Sequence, residues 1–245
     1  RGINAVNFDL MYGLPDQNMD DLAETLETAI AMRPSRIALF GYAHLPSAIP
    51  RQRRIDGSNL PDADTRFAMA SMGYQMLTEA GYRAIGFDHF VLPDDPLAKA
   101  ADEGRVHRNF QGFTEDDAPV LLGFGASAIT VTPDAFVQNL KNAGEYRTAL
   151  SANSLPVERG VALSVQDQRT RAIINGLRCQ GTATLTDIEA TAMAGRLAPF
   201  TDRGLIEWDG AAMTLSHDAR PYARTIAAQF DPYRDHATPR FSSAI

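Results

Sequence analysis

Residues 3–41, INAVNFDLMYGLPDQNMDDLAETLETAIAMRPSRIALFG, contain the pattern that decides the fold class. The segment 3–10 is apolar and rich in β-branched residues, which predicts a short buried strand. Leu22 and Leu26 then belong to an apolar stripe with helical spacing, and the segment 36–41 is again strand-like. A strand, a helix and a second strand in this order predict two parallel strands with a right-handed connection.

The same alternation of helix and strand continues along the first part of the chain. Asn18 or Asp16 can cap the first helix, and Pro34 ends it. A second helix is predicted at 62–80 and a third strand at 82–88. This order predicts an α/β fold with parallel strands, either a barrel or an open sheet, in which ligands bind at the carboxyl ends of the strands.

The pattern changes near residue 155, after which capped helices replace the alternation. Ser164 can cap a helix of about 165–180, and Thr184 or Thr186 can cap the next, with Glu189 as a capping-box partner of Thr186. The segment 205–215 is a predicted hairpin with a type I′ turn at Asp209-Gly210. Helices followed by a small hairpin resemble a winged-helix arrangement, so the C-terminal domain is predicted to be mostly helical. The predicted domains are 1–155 and 156–245.

The composition excludes several classes of function. A formal net charge of −7 argues against general nucleic-acid binding, which depends on clustered Lys and Arg. The single cysteine, Cys179, leaves no internal disulfide and no site that needs several thiolates, and it favours a reducing compartment. No apolar run approaches the roughly 20 residues that span a bilayer. Because the chain opens with Arg1 and enters a strand almost at once, we expect a truncated start.

Polar side chains at the predicted strand ends are the first candidates for a site. Asp9 could hold ribose hydroxyls or a cationic ligand group, or it could bond the backbone of the following turn. Asp88-His89 and His44 could transfer protons or bind a metal, although a histidine is more often a packed, hydrogen-bonded residue. No close ligand spacing supports a metal, so we predict none bound by these residues.

Two basic clusters are the second candidates. The run at 51–54 is explained at least as well by a solvated surface loop as by a ligand. Arg105, His107 and Arg108 are interleaved with aromatic residues such as Phe110, so they could face a flat ligand that carries carboxylates. We predict that these three basic residues bind the substrate, and no catalytic residue is assigned.

Short motifs along the whole chain carry a resemblance to a known family. HRNFQG at 107–112 is the most specific of them. The others are DLMYGLP at 9–15, YAHLP at 42–46, GFDHF at 86–90, GASAI at 125–129 and RFSSAI at 240–245. In this order and near this spacing they resemble the C-terminal half of the oxygen-independent coproporphyrinogen III oxidases, which are radical adenosylmethionine enzymes. HRNFQG separates these oxidases from their heme-chaperone relatives.

The resemblance implies a fold, a reaction and two cofactors. The fold would be part of a β/α barrel of parallel strands, followed by a mostly helical, winged-helix-like domain. The reaction would be the decarboxylation of two propionates of coproporphyrinogen III to vinyl groups, which gives protoporphyrinogen IX in heme biosynthesis. The cofactors would be a [4Fe-4S] cluster and S-adenosyl-L-methionine, the source of a 5′-deoxyadenosyl radical. By motif position, Asp9, Ala43 and Ile129 would contact adenosylmethionine.

The chain departs from the family in one large respect. It has no CxxxCxxC motif, and Cys179 lies in the C-terminal part. The cluster ligands are therefore expected upstream of this chain, and the chain alone is expected to be inactive. The expected partners are the substrate and a reductant protein, with no nucleic acid or membrane span, and the expected state is a cytoplasmic monomer.

Two other functions remain open at this point. A non-catalytic, heme-binding relative could be built on the same scaffold, although HRNFQG at 107–112 favours the enzyme. A DNA-binding regulator could use the winged-helix-like end, but its candidate recognition segment, 184–196, carries little positive charge.

Overall fold

The computed structural model describes residues 5–47 and 49–234, so the predicted C-terminal motif at 240–245 lies outside the described residues. The helices are α1 (Met19–Met32), α2 (Ala63–Glu79), α3 (Pro96–Asp102), α4 (Ala143–Ser151), α5 (Val165–Cys179), α6 (Asp187–Thr201) and α7 (Ala223–Ala227). The strands are β1 (Asn7–Tyr12), β2 (Arg36–Gly41), β3 (Arg83–Ile85), β4 (His89–Val91), β5 (His107–Arg108), β6 (Phe113–Thr114), β7 (Ile129–Val131), β8 (Ala135–Asn139), β9 (Val157–Ala162), β10 (Thr182–Thr184), β11 (Ile206–Asp209) and β12 (Ala212–Leu215). Short 3-10 helices lie at Pro50–Arg54, Gly57–Asn59, His217–Tyr222 and Ala228–Phe230.

The first β-α-β unit confirms the sequence prediction. Strands β1 and β2 pair in parallel, with Phe8 opposite Ile37 and Asp9 opposite Ala38, and α1 connects them. Asn18 caps α1 in a capping box, as its side chain and position predict. The carboxyl ends of β1 and β2 therefore meet at one edge of the sheet.

The third strand corrects the prediction of an all-parallel sheet. Instead of one strand over 82–88, β3 and β4 form a hairpin, and Gly86 enters its turn at a φ of +60°. Strand β4 lies between β2 and β3 and runs antiparallel to both. The reason is burial: every residue of β4 is buried, whereas β3 is only partly buried, so β4 takes the central position. Among the described residues the sheet is mixed and open, in the order β1-β2-β4-β3.

Helices α1 and α2 share one hydrophobic core with this sheet. Leu22, Leu26, Ile37, Met69 and Leu77 are completely buried in a single cluster. Burying a side chain of this size contributes about 1.5–3 kcal/mol relative to leaving it exposed. This core fixes the positions of the strand ends that carry the candidate site.

The C-terminal helices and their small sheet follow the predicted order. Ser164 and Thr186 cap α5 and α6 in capping boxes, and β10, β12 and β11 form an antiparallel sheet in that order. The hairpin turns at Gly210-Ala211 rather than at Asp209-Gly210, because Asp209 is still paired with Ala212. Of the two turn residues only Gly210 has a positive φ, which is typical of a type II′ turn and not of the predicted type I′.

The predicted domain limit near residue 155 falls within a third sheet. Strands β7, β8 and β9 pair in that order, and β9 begins at Val157. The backbone hydrogen bonds between β8 and β9 therefore join the two sides of residue 155. A limit after Ala162 would leave this sheet whole.

Direct contacts connect the C-terminal helices to the first sheet and its loops. Gln180 Nε2 donates a hydrogen bond to the carbonyl of Val106 at 2.7 Å. Arg220 Nη1 donates to the carbonyl of Ala84 at 3.3 Å. In the part of the chain that the structure describes, every helix is too short or too polar to cross a bilayer.

Candidate active site

Asp9 lies on the exposed face of β1, the edge strand of the first sheet. Its Oδ1 accepts a hydrogen bond of 2.7 Å from Asn7 Nδ2, while the described hydrogen bonds leave Oδ2 open. The simpler alternative, a bond to the backbone of the following turn, is therefore not how the side chain is held. Asp9 is the third of the six residues of β1 and not its last, which corrects the prediction of a carboxylate at the carboxyl end of the strand, because β1 continues to Tyr12. An exposed carboxylate oxygen can still accept hydrogen bonds from hydroxyl groups or pair with a cation.

Ala43 follows β2 in a loop that other side chains hold in place. Gln52 Nε2 donates to the Ala43 carbonyl at 2.8 Å, and the Leu45 amide donates to Gln52 Oε1 at 2.6 Å. Buried Arg66 donates through Nη2 to the Tyr42 carbonyl at 2.8 Å. These hydrogen bonds hold the loop in place, and the Ala43 carbonyl already has a partner.

In the basic run at 51–54, the residue that contacts this site is Gln52, which is uncharged. Arg51, Arg53 and Arg54 are exposed on a 3-10 helix, and only Gln52 is half-buried. Gln52 is the residue that holds the Ala43 loop. The surface-loop interpretation of the three arginines is therefore the one that fits their exposure.

Ile129 lies in a different sheet from Asp9 and Ala43. It begins β7 and is paired with Gln138 of β8. A side chain at Gly123 would come within 2.8 Å of the Ile129 backbone, so glycine is required there for close approach. The three residues that the resemblance assigns to adenosylmethionine are therefore positioned by two separate sheets.

Asp88 and His89 form a buried pair at the start of β4. His89 Nδ1 and Asp88 Oδ1 are 2.6 Å apart, and both residues are about 8% exposed. The rings of Phe40 and Phe113 contact the His89 ring edge-on. Such a pair suits the orientation of an imidazole or the transfer of a proton.

His44 makes different contacts from the Asp88–His89 pair. Its Nδ1 is 3.3 Å from the Tyr42 hydroxyl, and a side chain at Gly57 would touch its ring. Among the described residues, no group of three or more His, Cys, Asp or Glu side chains is placed to hold a metal ion.

The HRNFQG motif forms a hairpin whose tip faces outward. Strands β5 and β6 pair across it, and Asn109 Oδ1 accepts hydrogen bonds from the amides of Gln111 at 2.8 Å and Gly112 at 3.1 Å. Phe110 is 60% exposed at the tip, and its ring meets Phe136 of β8 edge-on. Asn109 therefore shapes the turn, and the exposed side chains of Phe110 and Gln111 are available to contact a ligand.

The three predicted substrate residues do not lie together. Arg105 is exposed and paired with Glu103, and His107 is exposed on β5. Arg108 is turned inward, with its guanidinium carbon 4.6 Å from the centre of the Phe113 ring and 5.0 Å from that of Phe87. Of the three, only Arg108 reaches the buried part of the site.

Sequence reasoning missed two further arginines at the same place. Arg178 of α5 and Arg224 of α7 also lie over the Phe87 ring, at 5.5 and 5.4 Å from its centre. Neither residue stands in a recognisable motif, and α5 was read only as a capped helix. Only the packing of the C-terminal helices against the first sheet brings them to Arg108.

A cavity of about 580 Å³ opens between the first sheet and the C-terminal helices. Its charged lining is Asp88, Asp218, Arg220 and Arg224. Its aromatic lining is Tyr12, Phe40, Phe67, Tyr74, Phe87, Phe90 and Tyr222. A cavity with flat apolar walls and a few charged groups suits a large, flat ligand with acidic substituents.

The described residues do not fit an iron–sulfur cluster. Cys179 is the one cysteine of the chain, and it packs against the core that includes Ile85, Val91 and Leu97. Burial raises the pKa of its thiol to about 11, so it is protonated near neutral pH. A protonated, packed thiol is a core residue and not a metal ligand.

Comparison with known proteins agrees with the motifs. The chain is 39% identical to the oxygen-independent coproporphyrinogen III oxidase of Bradyrhizobium diazoefficiens, over all of this chain and 56% of that protein. It is 37% identical to the oxidase of Pseudomonas aeruginosa, over 98% of this chain and 55% of that one. The structure matches that of coproporphyrinogen III oxidase (HemN) from Escherichia coli, a radical SAM enzyme, with a TM-score of 0.87 at 36% identity, over 95% of this chain and 56% of that one. The chain is homologous to these oxidases.

This homology confirms the resemblance predicted from the motifs. The chain spans about half the length of the curated relatives it matches. No family model matches the chain. The coproporphyrinogen oxidase relationship therefore rests on whole-chain similarity to individual oxidases.

Proposed function

We propose that this chain is part of an enzyme that oxidatively decarboxylates two propionates of coproporphyrinogen III to vinyl groups, giving protoporphyrinogen IX in heme biosynthesis. The observation that carries the proposal is the match to the Escherichia coli oxidase, which combines a TM-score of 0.87 with 36% identity over 95% of the chain. The aromatic cavity with its arginine lining supports it, because the substrate is a flat macrocycle that carries carboxylates.

The cofactor side of the proposal assigns adenosylmethionine to residues of β1, of the loop after β2 and of the start of β7. Asp9 would accept hydrogen bonds through its open carboxylate oxygen, and Ala43 and Ile129 would pack against or bond the ligand through backbone. When bound, this cofactor supplies the radical that abstracts hydrogen from the substrate. Because the chain has a single, packed cysteine, we propose that a [4Fe-4S] cluster would be held by residues outside residues 1–245, and that this chain alone is inactive.

The substrate side of the proposal rests on Arg108. Its inward position beside two aromatic rings fits a carboxylate-bearing macrocycle. Arg105 and His107 are exposed, so their predicted contact with the substrate would need the ligand to extend to the surface. The Asp88–His89 pair would orient groups near the cavity that Asp88 lines.

The finer architecture belongs to the same proposal. The strands of the first sheet would be one part of an incomplete radical-SAM barrel. The sheet of β10, β12 and β11 would form a winged-helix-like unit with α5 and α6, and this unit would cover the barrel. The C-terminal domain would begin after Ala162 and not at 156, because β9 pairs with β8 of the preceding part. We further propose a cytoplasmic monomer that receives electrons from a reductant protein.

The test is an anaerobic assay of the complete protein encoded by the reading frame that contains this chain. We expect CxxxCxxC upstream of Arg1 and, after reconstitution, conversion of coproporphyrinogen III to protoporphyrinogen IX. Asp9→Asn should weaken adenosylmethionine binding, with Asp20→Asn as a control on an exposed helix position. Failure to convert substrate under conditions in which the Escherichia coli oxidase does so would contradict the proposal. Tight heme binding without decarboxylation would favour a heme carrier instead.

A further inference from the structure

Three guanidinium groups surround a single aromatic ring at the junction of the sheet and the C-terminal helices. The guanidinium carbons of Arg108, Arg178 and Arg224 lie 5.0, 5.5 and 5.4 Å from the centre of the Phe87 ring. They come from β5, α5 and α7, so three separate elements converge on one ring. We call this set of four residues the arginine cluster.

Two nitrogen atoms of the arginine cluster are buried without a hydrogen bond. These atoms are Nη1 of Arg108 and Nε of Arg178. The nearest described acceptor of Arg108 Nη1 is Asp88 Oδ1 at 3.7 Å, which is too long for a hydrogen bond. A buried donor without a partner costs about 1–3 kcal/mol, more when it is charged, so an acceptor that completes these bonds would be strongly favoured.

The arginine cluster also has more positive charges than neighbouring carboxylates. Among the described residues, Asp88 is the one carboxylate whose charge acts on Arg178, and its Oδ1 already binds His89 at 2.6 Å. Cys179 is the other neighbour, and its thiol is neutral near pH 7 because burial raises its pKa to about 11. Burial, followed by the charges of Arg108 and Arg224, lowers the pKa of Arg178 to about 10. Arg108 and Arg178 therefore share one carboxylate while Arg224 adds a third positive charge, and an incoming anion would relieve their repulsion.

The arginine cluster lies between two cavities. Phe87, Asp88 and Arg224 line the aromatic cavity of about 580 Å³. Arg108 and Arg178 line a second cavity, of about 430 Å³, beneath the HRNFQG hairpin. An acidic group in the first cavity can reach Arg224, and one in the second cavity can reach Arg108 and Arg178. The aromatic walls favour a ligand whose acidic group is attached to a flat apolar body.

We propose that Arg108, Arg178 and Arg224 form a binding site for a carboxylate group on a flat, aromatic-sized ligand, with Phe87 as its floor. The inference rests on the proposed function and deepens it, since it names the residues that would hold a propionate of the macrocycle. Guanidinium groups bind a carboxylate in a two-point fork, which supplies both affinity and orientation. Arg178 and Arg224 would thereby orient the substrate without touching its reacting carbon.

The test compares two variants with a charge-matched control. Arg224→Gln removes an exposed arginine of the cluster, and Arg178→Met removes a half-buried one. Arg203→Gln removes an exposed arginine just after α6. The probe is coproporphyrin III, a stable and fluorescent tetracarboxylate, and its tetramethyl ester is the control ligand. We expect Arg224→Gln and Arg178→Met each to raise the Kd for the acid about tenfold or more, and Arg203→Gln to leave it unchanged.

Stability adds a readout that a structural role would not produce. Because Arg178 is a half-buried cation whose buried Nε has no hydrogen bond, Arg178→Met should unfold at the same or a higher urea concentration than the parent while binding more weakly. Unchanged binding of coproporphyrin III by both variants would overturn the arginine cluster as a ligand site. Equal affinity for the acid and the ester, or equal competition by inorganic phosphate and by glutarate, would overturn its selectivity for carboxylates.

The two proposals fail in distinguishable ways. If the complete enzyme converts coproporphyrinogen III with an unchanged KM in both variants, the arginine cluster is wrong and the proposed function stands. If the complete protein converts nothing but the chain binds glutarate and coproporphyrin III in a manner that depends on Arg178 and Arg224, the proposed function fails and the carboxylate site stands.

Discussion

At the scale of single residues, Gly86 determines how the aromatic floor of the site is built. Its φ of +60° lets the chain turn between β3 and β4. A side chain there would collide with the Phe113 ring, which contacts Phe87 and His89 edge-on and lies beneath Arg108. Because Gly86 has no side chain, the Phe113 ring can pack there and contact both His89 and Arg108.

Gly86→Ala should therefore lower the free energy of unfolding by about 2–4 kcal/mol, the sum of left-handed backbone strain and overpacking. Gly81→Ala is the matched control, because Gly81 also has a positive φ, of +87°, but nothing lies within 4 Å of the added carbon. It should cost only the backbone strain, about 1 kcal/mol. Urea unfolding of both variants measures the difference. Equal losses would show that the Phe113 ring moves away without cost.

At the scale of elements, the start of α6 is tied to α5 by one carboxylate. Glu189 completes the capping box with Thr186, and Arg169 of α5 donates to both of its oxygens at 2.8 Å. The hydrogen bonds from Arg169, followed by that from the Thr186 amide, lower the pKa of Glu189 to about 2. A capping box alone orients one helix, whereas this one also connects two.

Glu189→Gln should lower the free energy of unfolding at pH 7 by about 1 kcal/mol, since it removes a charged pair on a partly exposed surface. The pKa of Glu189 in the folded state is below its ordinary value, so the contribution is present above about pH 4.5 and is lost as the pH falls toward 2. The difference between parent and variant should therefore shrink over that interval. Urea unfolding at several pH values measures it, with Glu207→Gln on exposed β11 as the control. A difference that does not change with pH would show that Glu189 acts only as a cap.

The elements also show how far local patterns predict this fold. The caps at Asn18, Ser164 and Thr186 are confirmed because each depends on residues within one turn of helix. The prediction of a parallel third strand is wrong because strand direction depends on which neighbour buries the strand, and a run of apolar residues does not contain that information. The same reason applies to Arg169, whose partner Glu189 lies on another helix.

At the scale of the whole molecule, the site exists only where the two parts of the chain meet. Gln180, just after α5, donates to the carbonyls of Val106 at 2.7 Å and Gly104 at 3.3 Å. These bonds hold the segment that leads into the HRNFQG hairpin against the helix that carries Arg178. The spacing between Arg108 and Arg178 is therefore set by contacts between the parts.

Gln180→Ala should lower the free energy of unfolding by about 1 kcal/mol and increase amide hydrogen exchange in residues 104–114. Gln168→Ala is the control, because Gln168 donates at 3.3 Å only to the nearby Leu163 carbonyl. Hydrogen exchange followed by mass spectrometry measures the change for each segment. Unchanged protection of 104–114 in Gln180→Ala would show that β5 and β6 hold this segment by themselves.

The sequence by itself determined the β1-α1-β2 unit, the helix caps and the relationship to the oxidases. These follow from signals a few residues long, such as helical spacing, a capping side chain or the HRNFQG motif at 107–112. It also brought Arg108 forward as a candidate, because charge and aromatic residues alternate there.

Only the tertiary structure decided the antiparallel β3–β4 hairpin and the meeting of Arg178 and Arg224 with Arg108 over Phe87. Arginines far apart in a sequence carry no local sign that they will share a ring. Their convergence is produced by the burial of α5 and α7 against the first sheet, which depends on the packing of the whole chain and not on any one segment.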